Sequence, residues 1–148
     1  MTDELNVVWE EITRLKKENL QKQNDLEEQA LNNERQIDAL LNDFISVIDV
    51  YEKAETRIKD MELPEDDNTQ RVIKRLLQPK RTALSVLSKN GVSQIDIVGK
   101  PLNEDLCTVV ETEPDSEKDN DIVISIEKNG YIRGDRLIRR AEVVIVRN

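Results

Sequence analysis

The 148-residue chain contains no histidine, one cysteine and few aromatic residues, which make up 3% of it. Without histidine, neither a Ser-His-Asp nor a Cys-His catalytic arrangement can form, and a His/Cys zinc site is excluded within one chain. Cys107 alone cannot form an intrachain disulfide, and no run approaches the ~18 apolar residues of a membrane span. Met1-Thr2-Asp3-Glu4 has no apolar signal core. We therefore predict a cytoplasmic protein that is not an enzyme, with no metal, cofactor or membrane contact.

The charge balance of the chain indicates which kind of macromolecule it disfavours as a partner. The chain carries 31 acidic residues and 22 Lys plus Arg, a formal charge of −9. Its charged content of 36% is high and its hydrophobic content of 37% is low for a globular chain. The chain is too polar to be one packed globule, yet its clear apolar stretches argue against simple disorder. A net negative charge argues against nucleic acid as the main partner.

A long helix is predicted for the N-terminal segment, because residues 3 to about 60 contain neither glycine nor proline. A helix of about 58 residues would measure ~87 Å and would need a partner helix to be stable. We predict a coiled-coil stalk over residues 1–62; an isolated, solvent-exposed helix is the alternative. The predicted dimer interface consists of Leu26, Ile37, Leu41, Phe44, Ile48 and Tyr51.

Apolar spacing along this helix changes from block to block. Heptad-like blocks near each end are out of phase, while Leu15, Leu26, Ile37 and Ile48 lie eleven residues apart, which relaxes a left-handed supercoil toward straight pairing. Polar residues occupy the middle of the seam and weaken it there. We expect the pairing to be strongest toward the C-terminal end of the helix.

A pair of short helices is predicted for residues 63–90. The segment Leu63-Pro64-Glu65 breaks the long helix, and Asp67 with Gln70 is typical of a capping box for the next one. Pro79 interrupts the apolar periodicity, so we expect a kink or two helices over about 67–78 and 79–90. Gly91 after Lys89 is a C′ stop signal. Two such hairpins, one per chain, would form a four-helix bundle.

A small all-β domain is predicted for residues 91–148, where the apolar period changes to two, as in Ile122, Ile124 and Ile126. Acidic residues dominate residues 103–121, which predicts a solvated loop; calcium binding there lacks EF-hand spacing. Four arginines lie within residues 133–140. These arginines form either an interaction surface or a solvated face. With helices in the first part of the chain and strands in the last, the predicted fold class is α+β.

Several segments near the C-terminus form a recognisable order: Gly130-Tyr131, Arg136, Ile138-Arg139 and Ala141-x-Val143. Upstream stand Phe44-Ile45-Ser46-Val47-Ile48-Asp49, Lys89-Asn90-Gly91-Val92 and Pro101-Leu102-Asn103. Together they resemble the GrpE family, which supplies nucleotide exchange factors for DnaK-type heat-shock chaperones. The resemblance implies a parallel homodimer with a helical stalk, a four-helix bundle and two β-wings. One wing would bind the chaperone's nucleotide-binding domain and promote ADP release.

The resemblance also implies roles for particular residues. Arg136 matches the wing arginine that contacts the chaperone, and Gly91 matches the glycine at the junction of bundle and wing. We group Arg133 and Arg139 with them as predicted partner-binding residues. By contrast, Tyr131, Ile138 and Ala141 are expected in the β-core.

Departures from the family pattern keep other functions open. Cys107 stands where the family usually has histidine, Arg140 where it commonly has proline or alanine, and Gln21-Lys22-Gln23 where its stalk is basic. A second hypothesis is therefore a structural or adaptor dimer that presents β-domains without exchange activity. A third, an enzyme using Cys107, lacks a histidine base, and a small buried thiol is the usual finding in a β-pattern.

Overall fold

The computed structural model describes residues 2–148, and it confirms an α+β fold with a long N-terminal helix. Three helices come first: α1 (Thr2–Asp60), α2 (Asp67–Leu76) and α3 (Gln78–Lys89). Six strands follow: β1 (Val92–Gln94), β2 (Cys107–Glu113), β3 (Val123–Lys128), β4 (Tyr131–Arg133), β5 (Arg136–Arg139) and β6 (Ala141–Val146). The chain divides after Leu40 into two compact units. The three-part domain division stays a prediction.

The first unit, up to Leu40, is helical through its described residues and leaves most of its large apolar side chains exposed. Surface ion pairs of Arg14 with Glu11 and Glu18 add little stability. A helix gains most of its stability from packing an apolar face, so the prediction of a partner helix accounts for these exposed side chains. They are Leu5, Val7, Val8, Trp9, Leu15, Leu20, Leu26, Leu31, Ile37 and Leu40.

The two short helices confirm the predicted break near Pro79, but their caps differ in detail. The N-cap of α2 is Asp66, whose Oδ1 accepts the N–H groups of Asn68 and Thr69, both at 2.9 Å. The predicted capping box at Asp67 is therefore wrong by one residue, because Asp66 already has the extended backbone of an N-cap. Pro79 lies in the first turn of α3, where its missing N–H needs no partner.

The strands form two three-stranded sheets. The first has the order β1-β4-β5 and is antiparallel; the second has the order β2-β6-β3, with β6 parallel to β2 and antiparallel to β3. The pair Asn129-Gly130 lies between β3 and β4, which belong to different sheets. It carries the chain from β3 in the second sheet to β4 in the first, and Arg140 alone carries it back from β5 to β6.

The prediction of a solvated loop over residues 103–121 is wrong for part of that segment. β2 pairs with β6 from Cys107, opposite Ala141, to Glu113, opposite Val146. All of residues 108–113 are exposed on this edge strand, so its glutamates remain in solvent. The β-branched residues between them favour an extended chain, and acidic side chains on an edge discourage unwanted pairing.

Apolar residues form two cores. One lies within the β-region and comprises Ile95, Ile97, Cys107, Val123, Ala141, Val143 and Ile145. The other lies where α1, α3 and the first sheet meet and comprises Ile45, Ile48, Leu87, Val92, Tyr131 and Ile138. Tyr131, Ile138 and Ala141 are expected in the β-core, and all three are buried. Only Ala141 lies in the first core, whereas Tyr131 and Ile138 lie in the second, because the first sheet packs on α1 and α3. The second core is what seats the first sheet on α1.

Candidate partner-binding surface

The hairpin of β4 and β5 presents an exposed arginine at its tip. The turn Gly134-Asp135 places Arg133 directly opposite Arg136. Gly134 has φ +62°, the backbone region that the first position of a type II′ turn requires. Since β5 is an edge strand, Arg136 and the next residue, Leu137, are both exposed. The turn thus offers a basic and an apolar side chain from a short, regular element.

Gly91 lies beside this hairpin tip. The N–H of Gly134 donates to the carbonyl oxygen of Gly91 at 3.3 Å, and the following residue, Val92, pairs with Arg133. Gly91 has φ +74°, which confirms its predicted left-handed conformation after α3. The structure therefore brings Gly91, Arg133 and Arg136, three of the four predicted partner-binding residues, to one end of the first sheet.

The fourth predicted residue, Arg139, is turned inward. Its Nη1 and Nη2 donate to the two carboxylate oxygens of Asp49 on α1 at 2.6 and 2.8 Å. Its Nε and Nη2 also donate to the carbonyl oxygen of Asn129 at 3.1 and 2.7 Å, and its guanidinium lies 5.4 Å from the centroid of the Tyr131 ring. The Arg139 side chain therefore joins the first sheet to α1 and does not face solvent.

Further polar contacts surround this pair. Glu52 Oε1 accepts from Asn129 Nδ2 at 2.9 Å and from Gln94 Nε2 at 3.3 Å. The same Gln94 amide donates to the Tyr131 hydroxyl at 3.0 Å, and burial raises the pKa of that phenol above its usual value. One turn further along α1, a hydrogen bond from Lys80 at 2.6 Å lowers the pKa of Glu55. These contacts join α1, α3 and the first sheet.

The residues predicted for the dimer interface lie in different environments. Leu26, Ile37 and Phe44 are exposed, while Leu41 and Tyr51 are half-buried. Ile48 is fully buried within its own chain. It forms the floor of a groove of about 510 Å³ between α1 and α3, lined also by Phe44, Val47, Tyr51, Arg75, Gln78, Pro79, Thr82, Ala83 and Val86.

Cys107 lies in the β-core with only 4% of its surface exposed. Burial raises the pKa of its thiol, which disfavours the reactive thiolate. Across residues 2–148, no set of three or more cysteine, aspartate or glutamate side chains is grouped to hold a metal ion. Nor does this described part of the chain contain a helix long and apolar enough to cross a membrane.

Comparison with known proteins decides the family. A family model described as GrpE matches residues 2–147. The chain belongs to the GrpE family. It is 32% identical to Protein GrpE of Parageobacillus thermoglucosidasius over 72% of its length and 46% of that protein. It is 30% identical to Protein GrpE of Synechococcus sp. (strain JA-3-3Ab) over 70% of its length and 42% of that protein. The chain spans about half the length of the curated relatives it matches.

The segments that resemble GrpE in sequence meet in space. The helical segment ending in Asp49 contributes Ile45 and Ile48 to the second core, where they pack with Tyr131 and Ile138. Asp49 then binds Arg139, which follows Ile138 directly. Sequence reasoning missed this pairing. The available signal was one charged residue at the end of each otherwise apolar GrpE-like segment.

We expect Gly91→Ala to lower the free energy of unfolding by about 1–2 kcal/mol, because a residue with a Cβ is strained at positive φ. No heavy atom lies within 4 Å of the position that a Cβ would occupy, so the cost is conformational rather than steric. Gly91→Asn is the matched control and should cost less, since asparagine tolerates this region. Urea unfolding followed by circular dichroism measures both. Equal stability of the alanine variant and the natural chain would contradict the assignment.

Proposed function

We propose that this GrpE-family chain is a nucleotide exchange factor that binds the nucleotide-binding domain of a DnaK-type chaperone and promotes ADP release. The observation that carries the proposal is the exposure of Arg136 at the hairpin tip, in a chain that the GrpE model matches from residue 2 to residue 147. A guanidinium there can make charge-assisted, bidentate contacts with carboxylates of a partner. Leu137 adds apolar surface beside it.

Binding alone suffices for this activity. A factor that binds the open nucleotide cleft more tightly than the closed, ADP-bound cleft must weaken ADP binding by the same factor. Typical coupling free energies of ~1–3 kcal/mol correspond to about 5–150-fold. The chain therefore needs a firmly placed contact surface and no covalent chemistry, and this agrees with a buried thiol at Cys107.

The active form in this proposal is a homodimer. Support comes from the groove between α1 and α3, where Phe44, Val47 and Val86 are exposed although they are apolar. A second copy of the same surface would cover them. We place the protein in the cytoplasm, a reducing compartment in which its single cysteine stays a thiol.

Release of fluorescent ADP from the cognate DnaK-type chaperone, followed by stopped flow, tests the proposal. We expect faster release with the natural chain and at least a ~10-fold loss of that effect in Arg136→Ala, since truncating a charge-assisted contact costs about 1.5–3 kcal/mol. Arg147→Ala is the matched control, because Arg147 is exposed and paired with Asp121 at the end of the other sheet.

No acceleration by the folded protein with any DnaK-type chaperone of its organism would overturn the exchange proposal. That result would favour an adaptor that presents its β-region to another protein. Equal loss in Arg136→Ala and Arg147→Ala would place the contact elsewhere on the β-region.

A further inference from the structure

Side-chain contacts hold the first sheet against α1. In the second unit, Leu41–Asn148, no described hydrogen bond between two backbone groups joins α1 to a strand. The side-chain amide of Asn42 on α1 donates to the carbonyl oxygen of Ile138 on β5 at 3.2 Å. Packing of Ile45 and Ile48 against Tyr131 and Ile138 holds the two together. Apolar packing is non-directional, however, so by itself it would permit rocking of the sheet on the helix. Polar contacts with fixed geometry must set the angle.

Asp49 and Arg139 provide such a contact. The guanidinium uses one edge for both oxygens of Asp49 and its Nε side for the Asn129 carbonyl, so its plane is fixed from two directions. The two side chains are only 14% and 16% exposed, so their attraction is screened far less than that of a surface pair. A bidentate pair of this kind specifies orientation as well as energy.

A second side-chain contact with α1 holds Asn129, the residue whose carbonyl oxygen accepts from Arg139. Asn129 accepts from Arg139 through its carbonyl and donates through its side-chain amide to Glu52, three residues after Asp49 on α1. Asn129 belongs to one of the connections between the two sheets, the one from β3 to β4. Asp49 and Glu52, one turn apart on α1, therefore hold the start of the first sheet's hairpin and its last strand to the helix. Arg139 is also three residues from Arg136 on β5, so a tilt here moves the hairpin tip directly.

We propose that Asp49 and Arg139 are positioning residues for nucleotide exchange: they fix the angle of the β-region on α1 and so deliver Arg136 in one orientation. The inference rests on the proposed exchange function. A rigid contact surface fits one form of the nucleotide cleft better than the other. A surface that is free to tilt adapts to both forms of the cleft. A protein that binds two states with equal affinity does not shift the equilibrium between them.

The measurement is the ratio of two dissociation constants, for the ADP-bound and the nucleotide-free DnaK-type chaperone, each determined with the full-length protein. We expect Asp49→Asn and Arg139→Gln each to lower this ratio by about 5-fold or more, with nucleotide-free binding changed less. The double variant should lose little more than either single one, because both remove one contact. Asp96→Asn is the matched control, since it breaks an exposed pair with Lys100.

Circular dichroism and mass in solution verify that each variant is folded and assembled like the natural chain. If Asp49→Asn fails to fold, Arg139→Lys keeps the charge but loses the fork geometry and serves in its place. Folded variants that are less stable but keep the natural ratio would overturn the inference, because the pair would then serve stability alone. A ratio of one for the natural chain would overturn the exchange function itself, and the inference with it.

Discussion

Replacing Gly130 with alanine is expected to disrupt the β-region while leaving the helices largely formed. A Cβ on Gly130 would lie 2.5 Å from the backbone nitrogen of Ala141 and 2.7 Å from Cδ1 of Ile95. The isoleucine methyl can rotate away, but Ala141 begins the central strand β6 and its N–H donates to Leu106 at 2.9 Å. Relieving the clash must therefore move backbone that pairs with both neighbouring strands.

The expected cost is at the upper end of the ~1–3 kcal/mol of overpacked cores, or beyond it, because the clash is with backbone. That is a large share of the ~5–15 kcal/mol by which folded proteins are stable. Urea unfolding, with limited proteolysis to locate the first cleavage, measures the effect. We expect early cleavage within residues 91–148.

Gly99→Ala is the matched control for this prediction. Gly99 has φ +78° but open space where a Cβ would lie, so alanine there adds conformational strain without a clash. A Gly130→Ala variant that is no less stable than Gly99→Ala would show that β6 yields to the added methyl group. The close approach of Gly130 to Ala141 would then not require glycine at this position.

The helical half of the fold was predictable because its signals are local. The absence of glycine and proline up to residue 60, the apolar periods and the Pro79 break all act within a few residues, and the structure confirms the helices they predict. The error at Asp66 and Asp67 shows the limit of such signals. Either aspartate can cap a helix, and only the backbone angles and hydrogen bonds of the folded chain show that Asp66 does so.

The β-region was harder because its pairing is set by distant residues. Bulges in β3 break the strict alternation, so Val123 is fully buried while Ile122, Ile124 and Ile126 are only partly so. The partner of β2 is β6, which starts more than two dozen residues later and runs parallel to it. Neither the apolar periodicity of a strand nor its composition shows which strand it pairs with.

The environment of each arginine in the candidate surface is also set by residues that are distant in sequence. Grouping the arginines of residues 133–140 included Arg133 and Arg136, which flank one turn, and their role in partner binding stays a prediction. It could not separate Arg139, because the partner that turns Arg139 inward lies 90 positions away on α1. Only the three-dimensional contact shows that Arg139 holds the β-region to α1.

Replacing Val47 or Val86 with glutamate is expected to dissociate the proposed homodimer. α1 is apolar on two sides in the second unit: Ile45 and Ile48 are buried by their own chain, whereas Val47 is 53% exposed. Val86 on α3 is 44% exposed and lines the same groove as Val47. A helix that is apolar on two sides needs two partners, and the chain itself supplies one. A second copy of the groove, facing the first about a two-fold axis, would supply the other.

A carboxylate in that interface would be buried without a partner, which costs each copy more than the ~1–3 kcal/mol that burial of an unpaired neutral polar group costs by protein mutational data. Because the two-fold axis repeats the change, we expect the dimer dissociation constant to rise by about 100-fold or more. Sedimentation equilibrium measures it. Val98→Glu is the matched control, since Val98 is 51% exposed in the β-region away from the groove. If the Val47 and Val86 variants remain dimeric at the concentrations where the natural chain does, this groove does not pair. The exposed apolar residues of the first unit would then have to hold the two chains together.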